Sequence, residues 1–116
     1  MAEFEIPKHG TICWRELATK DLAAAKDFYR EMFGWKLEQS KVTPVEYTEI
    51  HFNDQAVGGM MQIDDRFGDP LPPSHWTTYT AVDNADETVA KIKENNGSVK
   101  QEPFDAPGIG RMAFAS

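Results

Sequence analysis

The chain has 116 residues and a formal net charge of −7, with 12 Lys and Arg against 19 Asp and Glu. That length supports one hydrophobic core but not two independent ones, and the lack of a basic stripe argues against nucleic-acid binding. A single cysteine, Cys13, excludes an intrachain disulfide, and no apolar run approaches the roughly 20 residues of a membrane helix.

Met1–Gly10 is charged and interrupted by Pro7, unlike a secretory leader, so the expectation is a soluble cytoplasmic protein without membrane contact. Thr11–Leu17 mixes β-branched and aromatic residues and predicts a strand. Asp21 is placed to cap a helix over Leu22–Phe33, in which Leu22, Ala25, Phe28, Tyr29, Met32 and Phe33 recur at helical spacing. Gly34 ends it. Trp35–Gln39 reads as a second strand and Val45–Phe52, behind Pro44, as a third. Ala56–Ile63 follows the Asn53-Asp54 turn as a fourth, with Gly58-Gly59 marking a bulge or a close backbone approach. Asp64–Ser74, dense in Asp, Gly and Pro, is a linker. Beyond it His75–Val82 predicts a strand, Asn84 a cap for a helix over Ala85–Asn95, and Ser98–Glu102 another strand. Phe104–Gly110 reads as a Pro/Gly loop and Arg111–Ala115 as a last strand.

The second half repeats the first. A shift of 63 positions carries residues 9–53 onto 72–116, Asp21 onto Asn84, Gly34 onto Gly97 and Pro44 onto Pro107. The turn and strand at 53–62 have no counterpart within the sequence. The expectation is one α+β domain over residues 1–116 with two βαβββ modules, 10–63 and 75–116, joined by a 64–74 linker. Each module would be a four-stranded sheet backed by its helix, the second lacking its last strand. The edge left open favours a homodimer.

Several runs follow one another in an order that resembles a known family: Trp14-Arg15-Glu16-Leu17, Asp21 through Phe28-Tyr29, Phe33-Gly34-Trp35, Val57-Gly58-Gly59-Met60-Met61, His75-Trp76 with Tyr79 and Val82-Asp83, and Pro107-Gly108-Ile109-Gly110-Arg111. The resemblance is to the glyoxalase / bleomycin-resistance / extradiol-dioxygenase group, the vicinal oxygen chelate superfamily. It implies tandem βαβββ modules curled into a cup-shaped mixed sheet around a small-molecule or metal site. Enzymes of that group hold a divalent ion through ligands on the first and fourth strands of each module, and the ion polarises vicinal oxygens of the substrate. The resemblance sets Trp14 at the first-strand ligand position, and the repeat sets Thr77 at its equivalent. Neither is a competent ligand for Zn, Ni or Fe. Gln62 on the fourth strand could approximate a ligand but has no repeat partner within the sequence, so neither a metal nor another cofactor is expected.

Strand alternation puts Trp14 and Glu16 on one face, and the repeat carries that face onto Thr77 and Tyr79. Facing the cup, these four form an aromatic clamp with polar handles, with Met60 and Gln62 completing its wall. The plainer alternative is that Trp14 and Tyr79 are ordinary core. Glu16 is a candidate base or hydrogen-bond acceptor, against the commoner fate of an ion pair with Lys or Arg at the rim. Glu49 and His51 alternate on one strand face without a third ligand, His9 reads as solvated, His75 as the end of the linker, and Cys13 as a small buried hydrophobe. The expected function is binding of a small aromatic or hydrophobic molecule between the modules, without a metal. The alternative is a metal-dependent lyase, isomerase or dioxygenase of the glyoxalase type.

Overall fold

Local signals set both helices before any packing is considered. The computed structural model describes residues 7–41, 46–106 and 110–116. Helix α1 (Leu22–Phe33) starts where Asp21 Oδ1 accepts the Ala24 amide at 3.0 Å. It stops at Gly34, whose φ of 66° is the left-handed conformation that glycine adopts most cheaply. Helix α2 (Ala85–Glu94) begins in the same way, with Asn84 Oδ1 accepting the Glu87 amide at 3.0 Å.

Strands β1 (Ile12–Thr19), β2 (Lys36–Gln39), β3 (Thr48–Phe52) and β4 (Gln55–Gln62) belong to the first half of the chain. Strands β5 (His75–Thr80), β6 (Val99–Ala106) and β7 (Gly110–Ala115) belong to the second. The 63-residue shift carries β1 onto β5, α1 onto α2, β2 onto β6 and β3 onto β7. Boundaries differ in places. β1 continues to Thr19, and β6 runs through Phe104–Ala106, where the sequence predicts a loop. Val45 of the third predicted strand, with the three residues before it, and residues 107–109 of that loop lie outside the described residues.

The sheets join differently from the predicted pair of four-stranded layers. Hydrogen bonding makes one five-stranded sheet in the order β2-β3-β4-β1-β5, and a separate β6-β7 hairpin. The difference arises because β5 pairs with the first half of the chain. It runs antiparallel to β1, with Trp14 opposite Tyr79 and Glu16 opposite Thr77, while β1 and β4 run parallel. Antiparallel pairing of repeat-equivalent strands is what a twofold relation between the halves requires, and its axis passes between these two residue pairs. Among the described residues, the second edges of β5 and β7 have no ladder partner.

One face of the large sheet packs under α1. Leu17, Ile50 and Met60, all at most 4% exposed, are its centre. Leu22, Ala25 and Tyr29 of α1 close over them with Trp35, Leu37 and Val57. Full burial of Leu17, Ile50 and Met60 contributes on the order of 1.5–3 kcal/mol each. The helix is covered only in part, since Phe28, Met32 and Phe33 remain exposed. Gly58-Gly59 is a close approach: a Cβ on Gly58 would meet the Arg15 carbonyl, and one on Gly59 the Tyr47 ring. The register of the β3–β4 ladder also slips here: Ile50 pairs with Gly58 and His51 with Ala56, leaving Val57, beside Gly58, as the extra residue of a bulge on β4.

Met60→Ala opens a cavity at the centre of this core and is expected to cost about 2–5 kcal/mol. Met32→Ala, on the uncovered side of α1, should stay within about 0.5 kcal/mol. Urea unfolding of the two variants beside the unmodified chain checks both, and equal effects would contradict the core as described.

Candidate functional site

The face of the five-stranded sheet away from α1 gathers the polar chemistry. The register lays Thr77, Glu16, Gly59, Glu49 and Glu38 in one row across β5, β1, β4, β3 and β2. Trp14 and Tyr79 sit opposite one another two residues along.

Glu16 is the hub of this face. Its Oε1 accepts the Tyr79 hydroxyl at 3.2 Å and its Oε2 accepts the Tyr47 hydroxyl at 2.8 Å. The Tyr47 oxygen in turn accepts the Trp14 indole N–H at 2.9 Å. Tyr47 precedes β3 and reaches Glu16 by lying across Gly59, the residue whose missing side chain leaves the space. On the far side, the Phe114 ring of β7 packs edge-on against Tyr79 at 5.8 Å, and Phe104 of β6 stacks on Phe114 at 6.1 Å. Trp14 and two Tyr thus gather at one carboxyl group, and two Phe continue the aromatic set beyond Tyr79.

Burial pushes the Glu16 carboxyl above its ordinary range, because the charged form loses water. The hydrogen bonds from Tyr47 and Tyr79, and the nearby His75, offset that only in part. Burial, and then the Glu16 charge, drive both phenols well above their usual value, so at neutral pH they remain donors. A carboxyl with a destabilised anion, fixed by two donors, is suited to holding a ligand's polar end or accepting a proton from it.

Four of the predicted site residues, Trp14, Glu16, Thr77 and Tyr79, therefore share one face. Met60 and Gln62 do not. Leu17 is the β1 partner of Met60 and Thr19 that of Gln62, so even-numbered β4 residues share the face of odd-numbered β1 residues, under α1. Met60 is fully buried there. Gln62 is tied up locally, its Oε1 accepting the Leu22 amide at 2.9 Å and its Nε2 donating to the Lys20 carbonyl at 2.7 Å.

The rim ion pair also fails to form, since among the described residues neither Lys nor Arg pairs with Glu16. His9 is not simply solvated: its Nδ1 accepts the Asp83 amide at 2.9 Å. His75 belongs to β5 itself, opposite Ala18 on the Glu16 face. Glu49 and His51 do meet, at 3.0 Å, and His51 lies 3.5 Å from Glu38. Tyr47, Phe104 and Phe114 are additions that strand alternation alone did not reveal.

The metal that the resemblance implies does not fit these residues. An indole and a threonine hydroxyl occupy the first-strand positions, and Gln62 is committed to the β1–α1 connection. Among the described residues no group of three or more His, Cys, Asp and Glu is arranged to hold a metal ion.

The raised Glu16 carboxyl has a signed consequence for stability. The folded state keeps its proton above the unperturbed value of 4.5 while the unfolded state loses it, so Glu16 withdraws stability as pH rises from there through its raised value. The unmodified chain should lose stability relative to Glu16→Gln over the range from pH 4.5 upward. Urea unfolding across that range reads the difference, and parallel pH profiles would contradict it.

Comparison with known proteins agrees with the fold. Residues 11–115 match the profile of the Glyoxalase/Bleomycin resistance protein/Dioxygenase superfamily. The chain is 35% identical over 109 residues to CFP32 of Mycobacterium tuberculosis (strain CDC 1551 / Oshkosh), a protein carrying a glyoxylase name, with 92% of this chain and 41% of that one covered. It is 32% identical over 115 residues to the anthracycline biosynthesis protein DnrV of Streptomyces peucetius, covering 90% and 42%. The chain therefore spans about two-fifths of the length of these curated relatives. Its backbone is similar to methylmalonyl-CoA epimerase in complex with methylmalonyl-CoA and NH4+, at TM-score 0.55 and 17% identity over 94% of this chain and 86% of that one. A variant of the Streptomyces coelicolor epimerase in complex with 2-nitronate-propionyl-CoA gives 0.55 and 17% over 94% and 89%. At that identity the likeness speaks for the fold alone. With nearly its whole length inside the family profile, the chain belongs to the glyoxalase/bleomycin resistance protein/dioxygenase superfamily.

Proposed function

We propose that this chain binds a small organic molecule with aromatic or apolar character on the sheet face of Trp14, Glu16, Tyr47, Thr77 and Tyr79, without a metal. The observation that carries this reading is the Glu16 carboxyl, buried at the joint of the two halves with each oxygen held by a different tyrosine. Such a group costs stability, as the raised carboxyl indicates, and a merely structural role would be served more cheaply by an apolar residue. Aromatic rings around a few fixed polar atoms are the usual makeup of a small-molecule site. The side chains at the family's first-strand metal positions support the metal-free form of the reading.

Calorimetric titration with a panel of small aromatic compounds tests it. Trp14→Ala should weaken a compound that binds by roughly fivefold, the loss of about 1 kcal/mol of stacking. Trp76→Ala should leave it unchanged, because Trp76 packs with Tyr29 and Trp35 on the α1 side. Equal affinity for the unmodified chain and Trp14→Ala would remove the site from this face.

The proposal extends to a homodimer in the cytoplasm. The single free thiol of Cys13 supports a reducing compartment, and the unpaired second edges of β5 and β7 together with exposed Phe28, Met32 and Phe33 support self-association. Light scattering at micromolar concentration should return twice the 13.1 kDa chain mass, and a monomer alone would sink that part.

A further inference from the structure

Among the described residues, no Lys or Arg pairs with the Glu16 carboxyl of this face. Glu16 is enclosed by Trp14, Tyr47 and Tyr79, and both its oxygens take neutral phenolic donors. His75 acts on it electrostatically, and the His75 Nδ1 is bonded to the Pro73 carbonyl at 2.7 Å. Along the same row Glu49 stands directly opposite Glu38, a like-charge pair that His51 bridges. Lys36 of β2 sits beyond them, opposite His51.

Two independent features thus favour the same kind of visitor. The faces of electron-rich rings attract positive charge. A desolvated carboxylate without a counter-ion attracts it too, and would be left worse off under a neutral or anionic ligand that strips away more water. We propose that the molecule held on this face is an organic cation: an ammonium group, primary to quaternary, carried on an aromatic or otherwise apolar body. The inference rests on the binding reading above and specifies its ligand class. The ammonium lies at Glu16 among the Trp14, Tyr47 and Tyr79 rings, and the apolar body extends toward Phe114 and Phe104.

A charge series of one shape tests this on the unmodified chain: benzyltrimethylammonium, benzyl alcohol and benzoate, titrated by calorimetry at low salt and neutral pH. The cation is expected to bind about tenfold or more tightly than the alcohol, with benzoate weakest. The preference should shrink as salt rises. In Glu16→Gln, checked for an intact fold by circular dichroism, it should fall to near parity through loss of cation affinity. Alcohol or benzoate binding as well as the cation would overturn the cation assignment while leaving the small-molecule reading in place. A preference surviving intact in Glu16→Gln would overturn the role given to Glu16. Failure of all three to bind would remove both readings together.

Discussion

Everything distinctive about this molecule follows from the antiparallel ladder between β1 and β5. Those strands are equivalents under the sequence repeat, and pairing them edge to edge and antiparallel gives that repeat a local twofold at this ladder. The same ladder extends the first half's sheet to five strands and brings Trp14 level with Tyr79 and Glu16 level with Thr77. Without it the two aromatic residues would belong to separate halves, and no shared face would exist.

A second constraint sits one strand away. β4 approaches β1 so closely that a side chain at Gly58 would collide with the Arg15 carbonyl, and the bare backbone at Gly59 lets Tyr47 lie flat toward Glu16. Two glycines in a strand cost conformational entropy and pack nothing themselves. Here they allow a tyrosine from the start of β3 to reach a glutamate on β1. Stability given up in β4, and again in burying Glu16, is concentrated on one patch, while Leu17, Ile50 and Met60 hold the sheet together from the opposite side.

How much of this was legible depended on whether a signal was local. Asp21, Gly34 and Asn84 punctuate the helices through bonds within a few residues, so caps and repeat register could be read directly. Alternation placed Trp14 with Glu16 and Thr77 with Tyr79, because each pair lies within one strand. It could not phase β4 against β1. Val57–Met61 is apolar or glycine throughout, offers no alternation to read, and only the observed register shows that Met60 and Gln62 point under α1. Tyr47 escaped for a related reason: its role depends on crossing Gly59, a contact between strands. Phe104 lies where Pro103 and the following Asp-Ala-Pro-Gly suggest a loop, yet β6 continues through it and sets its ring on Phe114.

The hydrogen bond between Tyr79 and Glu16 joins a residue to its own repeat equivalent, 63 positions away. A patch lying on a twofold axis begins symmetric: identical residues at both positions would set acid against acid or phenol against phenol, and a guest could lie either way round. Divergence at this one pair, acceptor on β1 and donor on β5, ends that degeneracy. Trp14 and Thr77 repeat the lesson, with an indole on one side of the axis and a small hydroxyl on the other. The architecture is therefore handed end to end at its centre, and a molecule laid across the axis would meet different groups at its two ends.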